Sequence, residues 1–278
     1  MCTLVVLRHV HPEWPLVLAA NRDELYARPA SGPQVLLPSP RTVGGRDLVR
    51  QGTWMGVMDG GLFVGLPNQR GSADLARAPR SRGEVVLRAL EAGSVEGIER
   101  YLSGLEPREY NAFNLLYGNA EVLRVAHVRP GSERIVSEEV PPGVHVLPND
   151  MLNTPSMPKV ARARLLAESA ARRPWPECVQ ALKGMLADHE LPERAPEVLP
   201  GEGVDAPELR ERLRQYQALC IHTEGYGTRS SAILALAPGW VGHYLAADEA
   251  PCQGEYRDVT PLLYPARDEP LAPGRVAR

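Results

Sequence analysis

Apolar residues fall along this chain in short blocks that come in pairs, with polar or Gly/Pro breaks between them. Residues 3–10 and 15–22, rich in Val and Leu and joined through His-Pro-Glu-Trp-Pro, predict the two strands of a hairpin. Residues 52–58 and 61–66 flank Asp59-Gly60, a dipeptide that tolerates positive φ and marks a tight hairpin. Residues 112–117 and 121–128 predict another around Gly118-Asn119, and residues 231–236 and 240–246 a last one turned by Pro238-Gly239. Residues 143–147 predict a short strand running into Pro148-Asn149-Asp150.

Helical signals sit between the hairpins. Ser81, with Glu84 three residues on, predicts the capped start of a helix ending before Gly93, and Ser94 starts a second, to residue 102. Residues 159–173 and 177–190 predict two more, the latter with Val179, Leu182, Met185 and Leu186 on one side. Residues 28–50 are rich in Pro, Gly and Ser without periodicity and predict a long loop, of the kind that serves as a lid or pocket wall. Residues 191–206 predict an exposed loop and residues 268–278 a flexible tail. Hairpins with grouped helices argue for antiparallel sheets rather than alternating βα units. Two packed sheets covered by helices on their outer faces, in a single α+β domain over residues 1–267, use all of these elements.

Composition removes several function classes. A formal net charge of -3 with no long basic run excludes a nucleic-acid footprint. The apolar runs are too short for a transmembrane span, and the start lacks the basic region of a signal peptide. Cys2, Cys178, Cys220 and Cys252 are widely spread with no CxxC pair, which speaks against a zinc site and a secreted disulfide scaffold and for a reducing, cytoplasmic setting. The last three are expected to be inert thiols. His9 and His11 would share one face of the first strand, a pair that could meet a metal or haem iron. No further ligand is spaced to complete that set, so they read as a polar strand end and no metal site is expected.

Chemistry concentrates at the N-terminus. If the first two strands pair, Asn21-Arg22-Asp23-Glu24 returns to the neighbourhood of Cys2. Removal of Met1 would leave Cys2 with an α-amine of pKa about 7.7–8.0, a general base near neutrality, beside a thiol of about 8.5 that a nearby Arg would lower. The bland alternative is that Cys2 is a small buried hydrophobe in the first strand.

Five ordered motifs carry a resemblance. They are Met1-Cys2-Thr3-Leu4, Asn21-Arg22-Asp23-Glu24, Gly52-Thr53-Trp54-Met55-Gly56-Val57, Tyr110-Asn111-Ala112-Phe113-Asn114-Leu115-Leu116 and Tyr226-Gly227-Thr228-Arg229-Ser230-Ser231. Together they resemble the NRDE family, also called the transport and Golgi organisation protein 2 family. The resemblance implies the four-layer αββα sandwich of the N-terminal nucleophile (Ntn) hydrolases. It further implies Cys2 as nucleophile, Arg22 and Asp23 as its orienting pair, Asn68 and Asn149 as oxyanion donors and Arg229 as a late member of the site.

One departure matters. The hydrolases space their Arg and Asp apart, whereas Arg22 and Asp23 are adjacent; in an extended strand both face Cys2 only if the strand ends or bulges there. Two functions follow from the resemblance. One is a cysteine amidohydrolase acting on a non-peptide C–N bond, with no cofactor. The other is a non-catalytic carrier of haem or an acyl-CoA or other lipid in the same cleft. Either takes a small-molecule or hydrophobic ligand, and oligomeric state has no signature in the sequence.

Overall fold

A computed structural model describes residues 2–70, 80–193 and 207–264. In chain order these form β1 (Cys2–Arg8), β2 (Leu16–Leu25), β3 (Ala30–Pro38), β4 (Arg41–Asp47), β5 (Met55–Met58) and β6 (Phe63–Gly65). Helices α1 (Arg82–Glu91) and α2 (Val95–Ser103) follow, then β7 (Phe113–Gly118), β8 (Leu123–Val128), β9 (Val136–Glu139) and β10 (Gly143–Leu147). The remainder is α3 (Pro158–Ala171), α4 (Trp175–Leu186), α5 (Pro207–Gln215), β11 (His222–Thr223), β12 (Tyr226–Ala237), β13 (Trp240–Ala247) and β14 (Arg257–Asp258).

The strands build two antiparallel sheets. One runs β10-β1-β2-β12-β13-β14, with β11 added to β12; the other is a meander from β3 through β9. Alternation along each strand divides its side chains between two faces. Leu4, Val6 and Leu18 meet Val57, Phe63 and Leu116 in a core between the sheets. Val5, Leu7, Val17 and Ile233 point the other way, onto Ala163 and Ala167 of α3 and Leu182 of α4. On the far side of the second sheet, Val64, Leu115 and Tyr117 pack on Val86 and Leu90 of α1 and Ile98 of α2. Three cores separate four layers, which is the expected α+β sandwich of αββα order. Burial on both faces is why β1 reads as an unbroken apolar run. No described helix is long and apolar enough to cross a membrane.

Several expectations need correction. Residues 28–50 are not a loop: they form the β3–β4 hairpin. Their glycines serve close packing, since a Cβ on Gly45 would lie 2.3 Å from the Trp54 ring and one on Gly44 2.4 Å from the Met55 carbonyl oxygen. Pro33 and Pro38 are tolerated because β3 is the edge of its sheet. His9 and His11 do not share a strand face. β1 ends at Arg8, His9 turns at φ 53°, and the buried His11 Nδ1 accepts from the backbone N–H groups of Glu13 and Trp14.

The hairpin after β5 turns at Gly61 (φ 80°), two residues beyond Asp59. Ser81 caps α1 by position without a side-chain bond, whereas Ser94 Oγ accepts from the Gly97 N–H at 3.0 Å. Helix α4 ends at Leu186, four residues short of the expected end, and the short exposed strand β9 and helix α5 were not among the expected elements. The loop expected over 191–206 lies largely outside the described residues, and the tail at 268–278 wholly so.

Candidate active site around Cys2

The β1–β2 ladder sets Cys2 directly opposite Arg22 and Thr3 opposite Asn21. β2 continues to Leu25 without a break, so the four residues of Asn-Arg-Asp-Glu alternate faces and do not cluster. Arg22 points between the sheets with Cys2, its guanidinium 4.3 Å from the centre of the Trp54 ring. Gly45 leaves the space in which that ring lies, and the Thr53 hydroxyl, within reach of the Gly45 (2.6 Å) and Met55 (2.8 Å) carbonyl oxygens, fixes the preceding backbone. The Gly-Thr-Trp motif thus builds the platform under Arg22.

Asn21 points to the helix layer. Its Nδ2 donates to the carbonyl oxygens of Leu186 and Leu219, both at 2.8 Å, and so satisfies one of the open carbonyls at the end of α4. Asp23 is buried on that face too, where its Oδ1 accepts from Thr228 Oγ1 at 2.6 Å. Expected to join Arg22 in facing Cys2, Asp23 turns its carboxyl to the other side of the strand, while the residue itself still lines the polar cavity at Cys2. The bulge opposite this point is in β12: Thr228 pairs with Asp23 and Ser230 with Arg22, leaving Arg229 as the extra residue.

That extra residue turns away. Arg229 Nη1 donates to the Tyr26 carbonyl oxygen at 3.1 Å, its guanidinium stands 5.6 Å from the Tyr26 ring, and it lines a separate cavity with His222 and Asp248. The structure does not bring Arg229 to Cys2. Glu24, the last residue of the Asn-Arg-Asp-Glu motif, approaches Arg28 at 3.9 Å.

Two adjoining spaces open at Cys2. One is an apolar slot between the sheets, lined by Leu4, Ala20, Pro33, Met55 and Tyr244, with Cys2, Arg22 and Trp54 at its end. The other is a larger polar mouth that shares Cys2, Arg22 and Trp54 and adds Asn68, Arg28, Arg80 and Arg82, with Asp47 held to Arg28 at 2.6 Å. Asn68 therefore shares a wall with Cys2. Asn149 lies behind it, 1% exposed, with Nδ2 donating to the Asn68 carbonyl oxygen at 2.7 Å. Its loop is pinned by Asn114 Nδ2, which donates to the Asp150 carbonyl oxygen at 2.8 Å, and by an Arg70–Asp150 ion pair at 2.8 Å. Asn114 belongs to the Tyr-Asn-Ala-Phe-Asn motif, and its buried side chain gives that motif a bracing role.

Electrostatics at the site are dominated by desolvation. Burial pushes the Cys2 thiol above its ordinary pKa, Asp23 adds to the rise, and Arg22 opposes it. Burial also raises Asp23, against Lys159, the Thr228 hydrogen bond and Arg22. Lys159 is the unforeseen member. It lies on the first turn of α3, is 1% exposed, and its Nζ has no hydrogen-bond partner among the described residues. Burial lowers its pKa, while Asp23 and then Cys2 hold it up. Nothing in the sequence distinguishes Lys159 from a surface lysine at a helix start. Arg82, half-buried in the polar mouth, was equally hidden among many arginines.

A family model described as Transport and Golgi organisation 2 matches residues 1–239. The Transport and Golgi organization protein 2 homologs of Bos taurus and Homo sapiens are each 30% identical to this chain over 234 residues, 79% of it and 81% of theirs. Among solved structures, the C2A mutant of conjugated bile acid hydrolase from Clostridium perfringens is similar at a TM-score of 0.46 and 12% identity, over 93% of this chain and 92% of that one. The Caenorhabditis elegans ortholog of N-acylethanolamine-hydrolyzing acid amidase is similar at 0.46 and 11%, over 84% and 92%.

Proposed function

The chain belongs to the transport and Golgi organisation 2 family, and within it we propose a cysteine amidohydrolase of the Ntn type, with Cys2 as nucleophile. The observation that carries this reading is the position of Cys2. It stands opposite Arg22, where an apolar slot meets a polar, arginine-lined mouth. Such a junction suits an amide whose acyl part is apolar and whose amine part bears an anionic group, with the C–N bond held at the thiol.

In the proposed reaction, Met1 is removed and the Cys2 α-amine takes the thiol proton as Sγ attacks the amide carbonyl carbon. Asn68, on the shared wall, supplies the oxyanion donor, and Asn149 holds Asn68 in place through its backbone. The C–N bond breaks as the proton passes to the leaving amine, and water then hydrolyses the thioester. Arg22 opposes the burial of the thiolate; Asp23, across the strand, acts through Thr228 and Lys159. No cofactor takes part. A cytoplasmic setting belongs to the same proposal, supported by four cysteines without a disulfide.

The test is hydrolysis of N-acyl amides of graded chain length, with anionic and neutral amine parts, by protein whose intact mass lacks Met1. Amine release that is lost in Cys2→Ala supports the proposal. Retention of Met1 in the native host together with no alkylation of Cys2 would sink it.

One feature favours the second reading, a carrier for haem or an acyl-CoA: the slot walls are apolar well beyond what a scissile bond needs, and burial disfavours the thiolate. A carrier binds haem or palmitoyl-CoA saturably and does so unchanged in Cys2→Ala. Absence of saturable binding to both removes this reading.

A further inference from the structure

Away from Cys2, four side chains with metal-ligating atoms meet where the end of α4, the chain entering β11 and the turn after β13 come together. They are His189, Cys220, His222 and Cys252, and their ligand atoms all lie within 4.8 Å of one another. The two sulfurs are 3.6 Å apart, and His222 Nε2 is 3.7 Å from Cys220 Sγ and 3.1 Å from Cys252 Sγ. Zinc bonds of about 2.3 Å to sulfur and about 2.0–2.1 Å to nitrogen make tetrahedral edges of roughly 3.7 Å between sulfurs and roughly 3.5 Å from sulfur to nitrogen. The observed separations straddle those edges. They are too long for a disulfide, whose sulfurs stand about 2.05 Å apart.

The surroundings fit the same chemistry. His189 Nδ1 donates to the Cys220 carbonyl oxygen at 3.0 Å, the outer bond that fixes the tautomer of a metal-binding imidazole and leaves Nε2 with its lone pair. The Cys220 N–H donates to the Asp188 carbonyl oxygen at 2.8 Å, tying the Cys-x-His segment to the residue beside His189. Two histidines and two cysteines are a closed ligand set with no position left for substrate, the pattern of a structural site. β11 has only two residues and gains little from its own ladder, so a cation is the element that would fix it.

We propose that His189, Cys220, His222 and Cys252 form a structural zinc site that fastens the segment around β11 and the turn after β13 to the end of α4. The spread of cysteines in sequence argued against zinc, but ligands 31 residues before and 30 after the Cys-x-His pair are joined by the fold. The clamp also reaches the candidate active site. Ile221, between two ligands, donates its N–H to Thr228 Oγ1 at 2.9 Å, and that hydroxyl donates to Asp23.

Full-length protein made without a polyhistidine tag and purified without chelators is expected to hold one zinc per chain by elemental analysis. After chelation, added cobalt(II) is expected to give tetrahedral d–d bands with thiolate-to-cobalt charge transfer. The Cys220→Ser/Cys252→Ser double variant loses the charge-transfer band, whereas Cys178→Ser keeps it in full. Because a ligand variant can misfold, wild-type protein supplies a second readout: alkylation of the exposed Cys252 is slow with zinc bound and rises after chelation. A Cys220–Cys252 disulfide in freshly prepared protein, a cobalt spectrum without thiolate charge transfer, or far less than one zinc per chain with Cys252 freely alkylated would overturn the proposal. None of these readouts depends on Cys2 chemistry.

Discussion

The Arg22 guanidinium lies over the Trp54 ring at 4.3 Å, while its strand position puts it directly opposite Cys2. The two contacts make Trp54 a positioning residue for Arg22. Arg22 gives up much of its hydration here, so a cation–π contribution of about 0.5–2 kcal/mol is expected. Trp54→Leu should lower kcat of the proposed hydrolysis more than it raises KM, because the charge near the thiol is displaced. Arg22→Lys should not restore activity, since an ammonium lacks the planar face that stacks on the ring. Equal kcat in wild type and Trp54→Leu would show that the platform is dispensable.

The pH dependence of Cys2 reactivity follows from its surroundings. Burial raises the thiol pKa, Asp23 raises it further, and Arg22 lowers it. The thiolate should therefore appear at higher pH than for a free cysteine of about 8.5. Iodoacetamide labelling of Cys2, followed by mass spectrometry of the N-terminal peptide, is expected to rise with pH only above that range. Arg22→Ala moves the curve up and Asp23→Asn moves it down.

Asn68 and Asn149 should separate by readout. Asn68→Ala removes the proposed oxyanion donor and is expected to cost roughly 10²–10³ in kcat with little loss of stability. Asn149→Ala removes a buried donor to the Asn68 carbonyl and should cost about 1–3 kcal/mol in urea unfolding as well as activity. If Asn149→Ala unfolds like wild type, the bond to Asn68 contributes nothing to holding that segment.

Much of this arrangement was legible in the sequence because it is written in local periodicity. The β1–β2, β5–β6, β7–β8 and β12–β13 hairpins and helices α1 to α3 lie close to where apolar alternation and caps put them. Residues 28–50 misled because glycines that make room for Trp54 and the Met55 carbonyl look like loop residues when the partner is unknown. Of the candidate site, the meeting of Cys2, Arg22 and Asn68 was legible, since they share one cavity wall. Asp23 lines that cavity too but turns its carboxyl to Thr228, and Arg229 went elsewhere, for a reason that strand pairing alone decides: β2 stays extended and the bulge falls in β12. Lys159 gave no signal, since burial of a helix-start lysine depends on a sheet face built from distant segments.

Lys159 supports the last prediction. Its amine is buried with no hydrogen-bond partner among the described residues, and burial lowers its pKa, with Asp23 and Cys2 only partly opposing. An unfolded lysine titrates near about 10.4. Between the lowered native value and that point the unfolded chain carries a proton that the native chain lacks, and stability rises with pH wherever the unfolded state binds more protons. Wild-type stability should thus receive a positive slope from Lys159 on the alkaline side, lost as pH falls through the native value. A thioether in its place has no proton to exchange, so in Lys159→Met this contribution vanishes. Removing the amine also takes away the leading influence that holds Asp23 down. The native carboxyl of the variant then keeps its proton to higher pH, and that group's contribution declines as pH rises from about 3.9. Both effects have the same sign in the difference: unfolding free energy of wild type minus Lys159→Met should climb with pH. Urea unfolding of the two proteins across a pH series measures it, and parallel stability curves would overturn both the lowered titration of Lys159 and its hold on Asp23.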